Sequence, residues 1–333
     1  MKPRNLIALA ITLTFLFLAI YKIDFSDFIS AFEDLNPVWV LPALFFYLFS
    51  FLFRAIRWRY MLSGGKQISL TSLFGYLVIG FMANNLLPAR LGEFVRAYVT
   101  GRREHQSRSA VFASVVLERL FDGITIVIIL LLLLYIEGSL GRPWLHYLSL
   151  VSAAVFAGGI AFLVMLTFMR ETAMKISAAV FSILPKRLET LGNHILGRFL
   201  SGLDLLHSAK DLLLVSIFSF AVWTCETMVY LTYLKAFDIH VPLDAALLTL
   251  VVVNLSMMIP SSPGGIGIFQ FACIQALAIF GVSQGTALAF SGALHATQLL
   301  PIIILGLILL PRMGFSFREI SNVELEDDSE NAS

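Results

Sequence analysis

Charge is scarce in this sequence. Only 14% of its 333 residues are Asp, Glu, Lys or Arg, while 58% are hydrophobic, which excludes an ordinary water-soluble domain. Cysteine is almost absent. Cys225 and Cys273 both fall in apolar runs and form no Cys-x-x-Cys pair, so neither a disulfide framework nor a zinc site is encoded. His-Glu-x-x-His, Walker, Gly-x-Ser-x-Gly and Asp-x-Asp motifs are missing as well, and with them ATP-driven pumping and the common hydrolase chemistries. No cofactor, metal or nucleic-acid partner is expected. The amino terminus has Lys2 and Arg4 ahead of an apolar run from Leu6 to Tyr21 but no small-residue cleavage site, only Tyr-Lys-Ile-Asp, and reads as an uncleaved span.

What remains is long apolar runs, with a mean hydropathy of +0.86. They predict an all-α integral membrane protein with about six full spans, at 6 to 21, 37 to 53, 109 to 136, 144 to 169, 211 to 234 and 285 to 310. Two further segments, 69 to 101 and 243 to 281, are interrupted. The stretch 22 to 36 holds four acidic residues against Lys22, whereas 54 to 66 holds Arg54, Arg57, Arg59 and Lys66. The excess of basic residues in the second loop places it, and both termini, in the cytoplasm. Arg54, Arg57 and Arg59 are accordingly expected to snorkel to inner-leaflet phosphates.

The interrupted segments share a pattern. Pro88-Ala89-Arg90-Leu91-Gly92-Glu93-Phe94 and Pro263-Gly264-Gly265-Ile266-Gly267-Ile268-Phe269 both read Pro-x-x-(Leu/Ile)-Gly-x-Phe, with Ala97 or Ala272 three residues on. Proline removes a backbone donor and glycine a side chain, so each segment leaves peptide groups that hydrocarbon tolerates only beside protein or water. Both ends of the first segment are basic, so it is expected to enter and turn back at Pro88. Three crossings later the second does the same from the opposite face, which makes an inverted repeat. Two kinked spans in place of each hairpin is the alternative. The two breaks are expected to meet near the midplane, with Gly92 and Gly267 flanking one cavity.

Polar residues at membrane depth mark the candidate site. Glu118, Arg119 and Asp122 share the span 109 to 136, whose 28 residues extend about 42 Å against a hydrocarbon thickness of about 30 Å. They serve either a substrate pathway or a self-neutralised structural cluster. Around the first break stand Asn84, Asn85, Arg90, Glu93 and Arg96. Arginine's planar fork suits phosphate, so Arg90 and Arg96 are expected to bind a lipid headgroup. The second segment offers Asn254, Ser261, Ser262, Gln270 and Gln275 and the backbone of Pro260-x-x-Pro-Gly-Gly-x-Gly. Glu226, His295 and Gln298 complete the candidate pathway residues. Between spans, apolar residues from Leu188 to Leu206 recur every three or four positions, predicting an amphipathic helix over about 186 to 207, on the inner leaflet or packed on the bundle. Residues 316 to 333 form an acidic cytoplasmic tail beyond the membrane domain of 1 to 315.

Asn84-Asn85-x-x-Pro88-x-Arg90-x-Gly92-Glu93-x-x-Arg96, Val116-Leu117-Glu118-Arg119-x-x-Asp122 and Pro260-x-x-Pro263-Gly264-Gly265-Ile266-Gly267 resemble, in order, the motifs of the lysylphosphatidylglycerol synthetase transmembrane region. This is the flippase-like membrane domain of multiple-peptide-resistance proteins. The resemblance covers about residues 5 to 312. It implies translocation of a polar lipid, an anionic or aminoacylated phospholipid or a polyprenyl-linked one. In full-length relatives a separate carboxy-terminal domain makes the lipid; here a stand-alone form without that domain is expected.

Three functions compete on this reading. A lipid translocator accounts for the paired breaks and the buried charge. A membrane-embedded transferase using Glu93, Glu118 or Asp122 as base, and a membrane partner of a separate synthase or glycosyltransferase, are the alternatives. If Glu118 serves the pathway, Glu118→Gln should abolish translocation and leave stability nearly intact.

Overall fold

The computed structural model describes residues 13–20, 25–62, 68–87, 91–137, 143–181, 186–203, 208–259 and 263–321. Among them the chain is helical throughout, without strand. Helix α1 covers 13–20, α2 Phe25–Glu33, α3 Val40–Met61, α4 Leu70–Leu86, α5 Gly92–Glu104, α6 Arg108–Glu137 and α7 Pro143–Phe168. Then come α8 Arg170–Phe181, α9 Lys186–Ser201, α10 Ala209–Ala236, α11 Leu243–Ser256, α12 Ile268–Ala278, α13 Gln284–Arg312 and α14 Phe317–Ser321. Of the described helices, three combine the length and apolarity of a membrane span: Pro37–Met61 (α3 with its leading 3₁₀ turn), α10 and α13. Helices α6 and α7, at 30 and 26 residues, are also of spanning length.

Helix α3 corrects one expectation. Asn36 caps its leading turn by accepting the Val38 N–H at 3.1 Å, but the helix does not stop near Phe53. It continues to Met61, and its buried face recurs as Tyr47, Ser50, Phe51, Arg54, Arg57, Trp58 and Met61. Those intervals of three and four residues carry Arg54 and Arg57 inward with the apolar residues, so neither snorkels to the surface. Arg59, off that face, is exposed. The broad contact of α3 with α10 forms the spine of the fold.

Each interrupted segment becomes two helices packed alongside each other, α4 with α5 and α11 with α12. The first doubles back. A Cβ built on Gly80 stands 2.9 Å from the Cβ of Arg96, whereas one unbroken helix would put these residues about 24 Å apart. The closeness depends on glycine, because a Cβ on Gly92 would lie 2.0 Å from the Gly80 carbonyl oxygen. In the second segment the break is a 3₁₀ turn at Pro263–Gly265, and Gly264, Gly265 and Gly267 hold φ of 71°, 70° and 91°. That left-handed backbone is one other residues adopt only at a cost.

Helix α6 lies centrally, packed against α3, α5, α7, α9, α10 and α11. The amphipathic helix ends at Ser201, short of the expected 207, and 204–207 lie outside the described residues. It packs on α6 and α8, with Leu200 and Leu203 buried. Gly202 fits against Ala110 and Ala113 of α6. At the carboxy end, α14 is held to α5 by Glu319, which accepts from the Tyr98 hydroxyl at 2.9 Å and pairs with Arg102. Residues 322–333, most of the expected acidic tail, lie outside the described residues. Large apolar side chains such as Leu41, Phe45, Val155, Phe162, Leu213 and Ile304 are exposed, the surface a helix bundle presents to hydrocarbon.

Candidate functional site: an ion cluster behind two joined cavities

Helices α3, α5, α6 and α10 bring four arginines and three carboxylates into one network: Arg54, Arg57, Arg96 and Arg119 with Glu118, Asp122 and Glu226. Glu118, with no exposure, meets Arg96 Nη2 and Arg119 Nη2 at 2.7 Å each and Arg57 Nη2 at 3.4 Å. Arg57 Nη1 donates to Asp122 Oδ1 at 2.6 Å and to Ser219 Oγ at 2.9 Å. Arg54 spans two acids, with Nη2 at 3.1 Å from Glu226 and Nη1 at 3.8 Å from Asp122. Arg96 also lies over the Trp58 ring, its Cζ 3.5 Å from the centroid. A charge at the centre of a membrane helix costs at least about 2.5 kcal/mol, and each member of the network offsets that cost for its neighbours.

One side of the network borders a cavity of about 740 Å³. Its lining combines the polar Arg54, Asn84, Asn85, Glu93, Arg119, Asp122 and Asn254 with Val155, Phe156, Gly159 and Phe162 of α7. Both interrupted segments contribute, the second through Pro263, Gly264 and Gly265. Arg119 is the guanidinium this space receives most openly. Its side chain is 42% exposed, against 0 to 7% for the other three arginines of the network, and Nη2 is the atom that pairs with Glu118 and Asp122.

A smaller pocket of about 160 Å³ adjoins it. The two share Arg54, Phe81, Asn85, Asn254, Met257 and Gly264 in their walls. Glu226, His295 and Gln298 complete its polar lining, with Tyr47, Tyr230 and Phe269 among its rings. His295 stacks on Phe269 at 4.1 Å with 6° between planes. Its Nδ1 meets Gln270 Nε2 at 3.1 Å, and Gln270 Oε1 accepts the Gly267 N–H at 2.8 Å. Gln270 and His295 thus pin the glycine-rich break, the interhelical role a membrane histidine commonly has.

The sequence-derived site residues therefore divide. Asn84, Asn85, Glu93, Arg119, Asp122, Asn254, Pro263, Gly264 and Gly265 line the larger cavity, and Glu226, His295 and Gln298 the smaller. Arg96 and Glu118 sit behind the wall, and Gln270 and Gly267 belong to the supports of the break. Asn84 has a second task, because its Oδ1 accepts the Gly92 N–H at 2.8 Å and caps α5. Pro88, Arg90, Pro260, Ser261 and Ser262 lie outside the described residues. Arg54 and Arg57 were not among the expected site residues, nor were Ser50, Ser219, Trp223 and Tyr230. The signal for the two arginines was the three-four spacing of α3 continuing past Phe53.

No solved structure matches this chain. A membrane protein of Methanothermobacter thermautotrophicus, termed UPF0104, is 25% identical over 96% of this chain and 98% of its own length. One from Pyrococcus horikoshii, of the same description, is 26% identical over 87% and 90%. Glycosyltransferase AglD of Haloferax volcanii is 27% identical over 89% of this chain, which spans about half of that protein. The model of the lysylphosphatidylglycerol synthase transmembrane region matches residues 5–306. With over nine-tenths of its length matched, and with the buried Glu118 network and glycine-rich break in place, the chain belongs to that flippase-like membrane family.

Proposed function

We propose that this chain translocates a polar lipid between leaflets of the cytoplasmic membrane. The observation that carries the reading is the 740 Å³ cavity, which is lined both by ionic and carboxamide groups and by apolar residues of α7, whose Val155 and Phe162 are exposed. An amphiphile needs that pairing, a polar place for its headgroup continuous with an apolar flank for its chains. Arg119 takes the phosphate, since a guanidinium offers parallel donors to two oxygens. Asn84, Asn85 and Asn254 supply neutral contacts. Arg96 and Glu118 hold Arg119 in place from behind. In this reading the helix pairs α4–α5 and α11–α12 are re-entrant hairpins of opposite orientation, both termini are cytoplasmic, and the headgroup passes between the two breaks.

Transbilayer exchange tests it. In proteoliposomes carrying a fluorescent phospholipid, the wild type should make inner-leaflet label accessible to an impermeant quencher faster than protein-free vesicles do. Arg119→Gln should slow that exchange while the protein still inserts. Equal rates with and without protein would refute the reading. Service as the membrane partner of a separate synthase or glycosyltransferase is a second reading, favoured by the relative from Haloferax volcanii, in which the matched region makes up about half of a protein named a glycosyltransferase. Copurification of such an enzyme, with no exchange activity, would select it.

A further inference from the structure

The smaller pocket differs in chemistry from the cavity it adjoins. Its two charged groups, Arg54 and Glu226, neutralise each other at 3.1 Å, and Glu226 also accepts from Ser50 Oγ at 3.1 Å and Gln298 Nε2 at 3.4 Å. An ion entering it therefore finds no unpaired opposite charge. Beyond Arg54, whose Nε has no partner among the described residues although its charge is paired, the uncommitted groups are neutral. The Tyr230 hydroxyl is buried with no hydrogen-bond partner among the described residues, although a buried hydroxyl left unpaired costs about 1 to 3 kcal/mol. The Asn254 carboxamide spends its nitrogen on the Leu250 carbonyl at 2.8 Å, and its oxygen has no partner among the described residues. Asn85 stands at the boundary with the larger cavity, and the rings of Tyr47, Tyr230 and Phe269 form the apolar faces.

Neutral donors and acceptors between aromatic faces match a polyhydroxyl group, whose hydroxyls need paired partners while its C–H surface needs rings. The volume, about 160 Å³, holds roughly five waters at about 30 Å³ each, the scale of a small polyol. We propose that this pocket is a polyol subsite, receiving the hydroxyl-bearing outer part of the lipid headgroup, glycerol or a sugar, while the phosphate stays with Arg119. The inference rests on the lipid reading above and adds a selectivity that reading does not contain. Tyr230 and Asn254 are its specificity residues, and Arg54 is the partition between phosphate and polyol.

The test compares headgroups on the purified full chain. Dissociation constants are measured by native mass spectrometry for phosphatidic acid, phosphatidylglycerol and a glucosyl diacylglycerol of matched acyl chains, with free glycerol and free glucose as soluble controls. Phosphatidylglycerol should bind more tightly than phosphatidic acid. Tyr230→Phe removes one oxygen that bonds nothing among the described residues, so folding is spared. It should lower the ratio of phosphatidylglycerol to phosphatidic acid affinity by about 3- to 10-fold, the net worth of one hydrogen bond, and Asn254→Leu should act in the same direction. Preference for the glucosyl lipid, which lacks the phosphate, over phosphatidylglycerol would assign the polyol to a sugar and support the subsite. A ratio unchanged in both variants overturns the subsite while Arg119-dependent phospholipid binding leaves the translocator standing. Failure of the wild type to bind any lipid overturns both, and binding of free glycerol or glucose alone retains a polyol pocket but refutes its connection to a lipid.

Discussion

Arg57 and Asp122 stand 2.6 Å apart across α3 and α6, 65 residues separated in sequence and both buried. Arg57 also reaches Glu118 and Ser219, so removing it takes a guanidinium partner from each of two buried carboxylates and leaves them to Arg96, Arg119 and Arg54. Breaking a buried ion pair from one side costs about 3 to 5 kcal/mol. Arg57→Ala should therefore lower the thermal midpoint of the detergent-solubilised protein severely, and Asp122→Asn less, because the amide oxygen still accepts from Arg57. An Arg57→Ala midpoint equal to wild type would mean that the pair does not hold α3 to α6.

The geometry also changes what Glu118→Gln should do. One carboxylate serves Arg57, Arg96 and Arg119, in a network of four arginines and three acids. Neutralising it raises the network's surplus of positive charge from one to two, and a neutral amide cannot balance three guanidinium groups. The expected outcome is a loss of stability accompanying any loss of transport, opposite to what the sequence suggested. Arg96→Lys should act likewise, through its lost bond to Glu118 and lost stacking on Trp58, rather than through the lipid. Unchanged melting of Glu118→Gln with transport abolished would restore the view of Glu118 as a pathway group.

Much of this was legible in the chain because its signals were local. Apolar run length marked the long helices α3, α10 and α13, the repeated Pro-x-x-(Leu/Ile)-Gly-x-Phe marked both breaks, and charge within an apolar run singled out Glu118, Arg119 and Asp122. Arg54 and Arg57 were misplaced for an equally physical reason. A loop rich in arginine and a helix end carrying arginine inward share one composition, and only partners far off in sequence, Asp122 and Glu226, decide between them. Tyr230 and Trp223 were invisible because an unpartnered buried donor can be recognised only after its surroundings exist.

The two breaks should respond differently to added bulk. At Gly92 the obstacle is rigid, since a Cβ would stand 2.0 Å from the Gly80 carbonyl oxygen and 2.6 Å from the Asn84 backbone nitrogen. At Gly264 the nearest atom is 3.5 Å away and the obstacle is φ of 71°. Gly92→Ala should cost about 1 to 3 kcal/mol through overpacking, and Gly264→Ala about 1 to 2 kcal/mol through the left-handed backbone. Asparagine tolerates that backbone, so Gly264→Asn should recover part of the loss in midpoint, whereas Gly92→Asn should be worse than Gly92→Ala. Rescue at both positions, or at neither, would contradict these separate causes.

The proposed inverted hairpins make a prediction about sidedness. Thr71 stands at the start of α4 and Gln106 just past the end of α5, so a re-entrant first segment brings both to the cytoplasmic face. His240, before α11, and Gln284, at the start of α13, flank the second segment and should share the opposite face. Single-cysteine variants at the four positions can be labelled with an impermeant maleimide in right-side-out and inverted vesicles. The native Cys225 and Cys273 are buried, which keeps background low. Thr71→Cys and Gln106→Cys should react in inverted vesicles alone, and His240→Cys and Gln284→Cys in right-side-out vesicles alone. Labelling of Thr71→Cys and Gln106→Cys from opposite faces would mean that α4 and α5 together carry the chain across, and would remove the inverted repeat from the proposed mechanism.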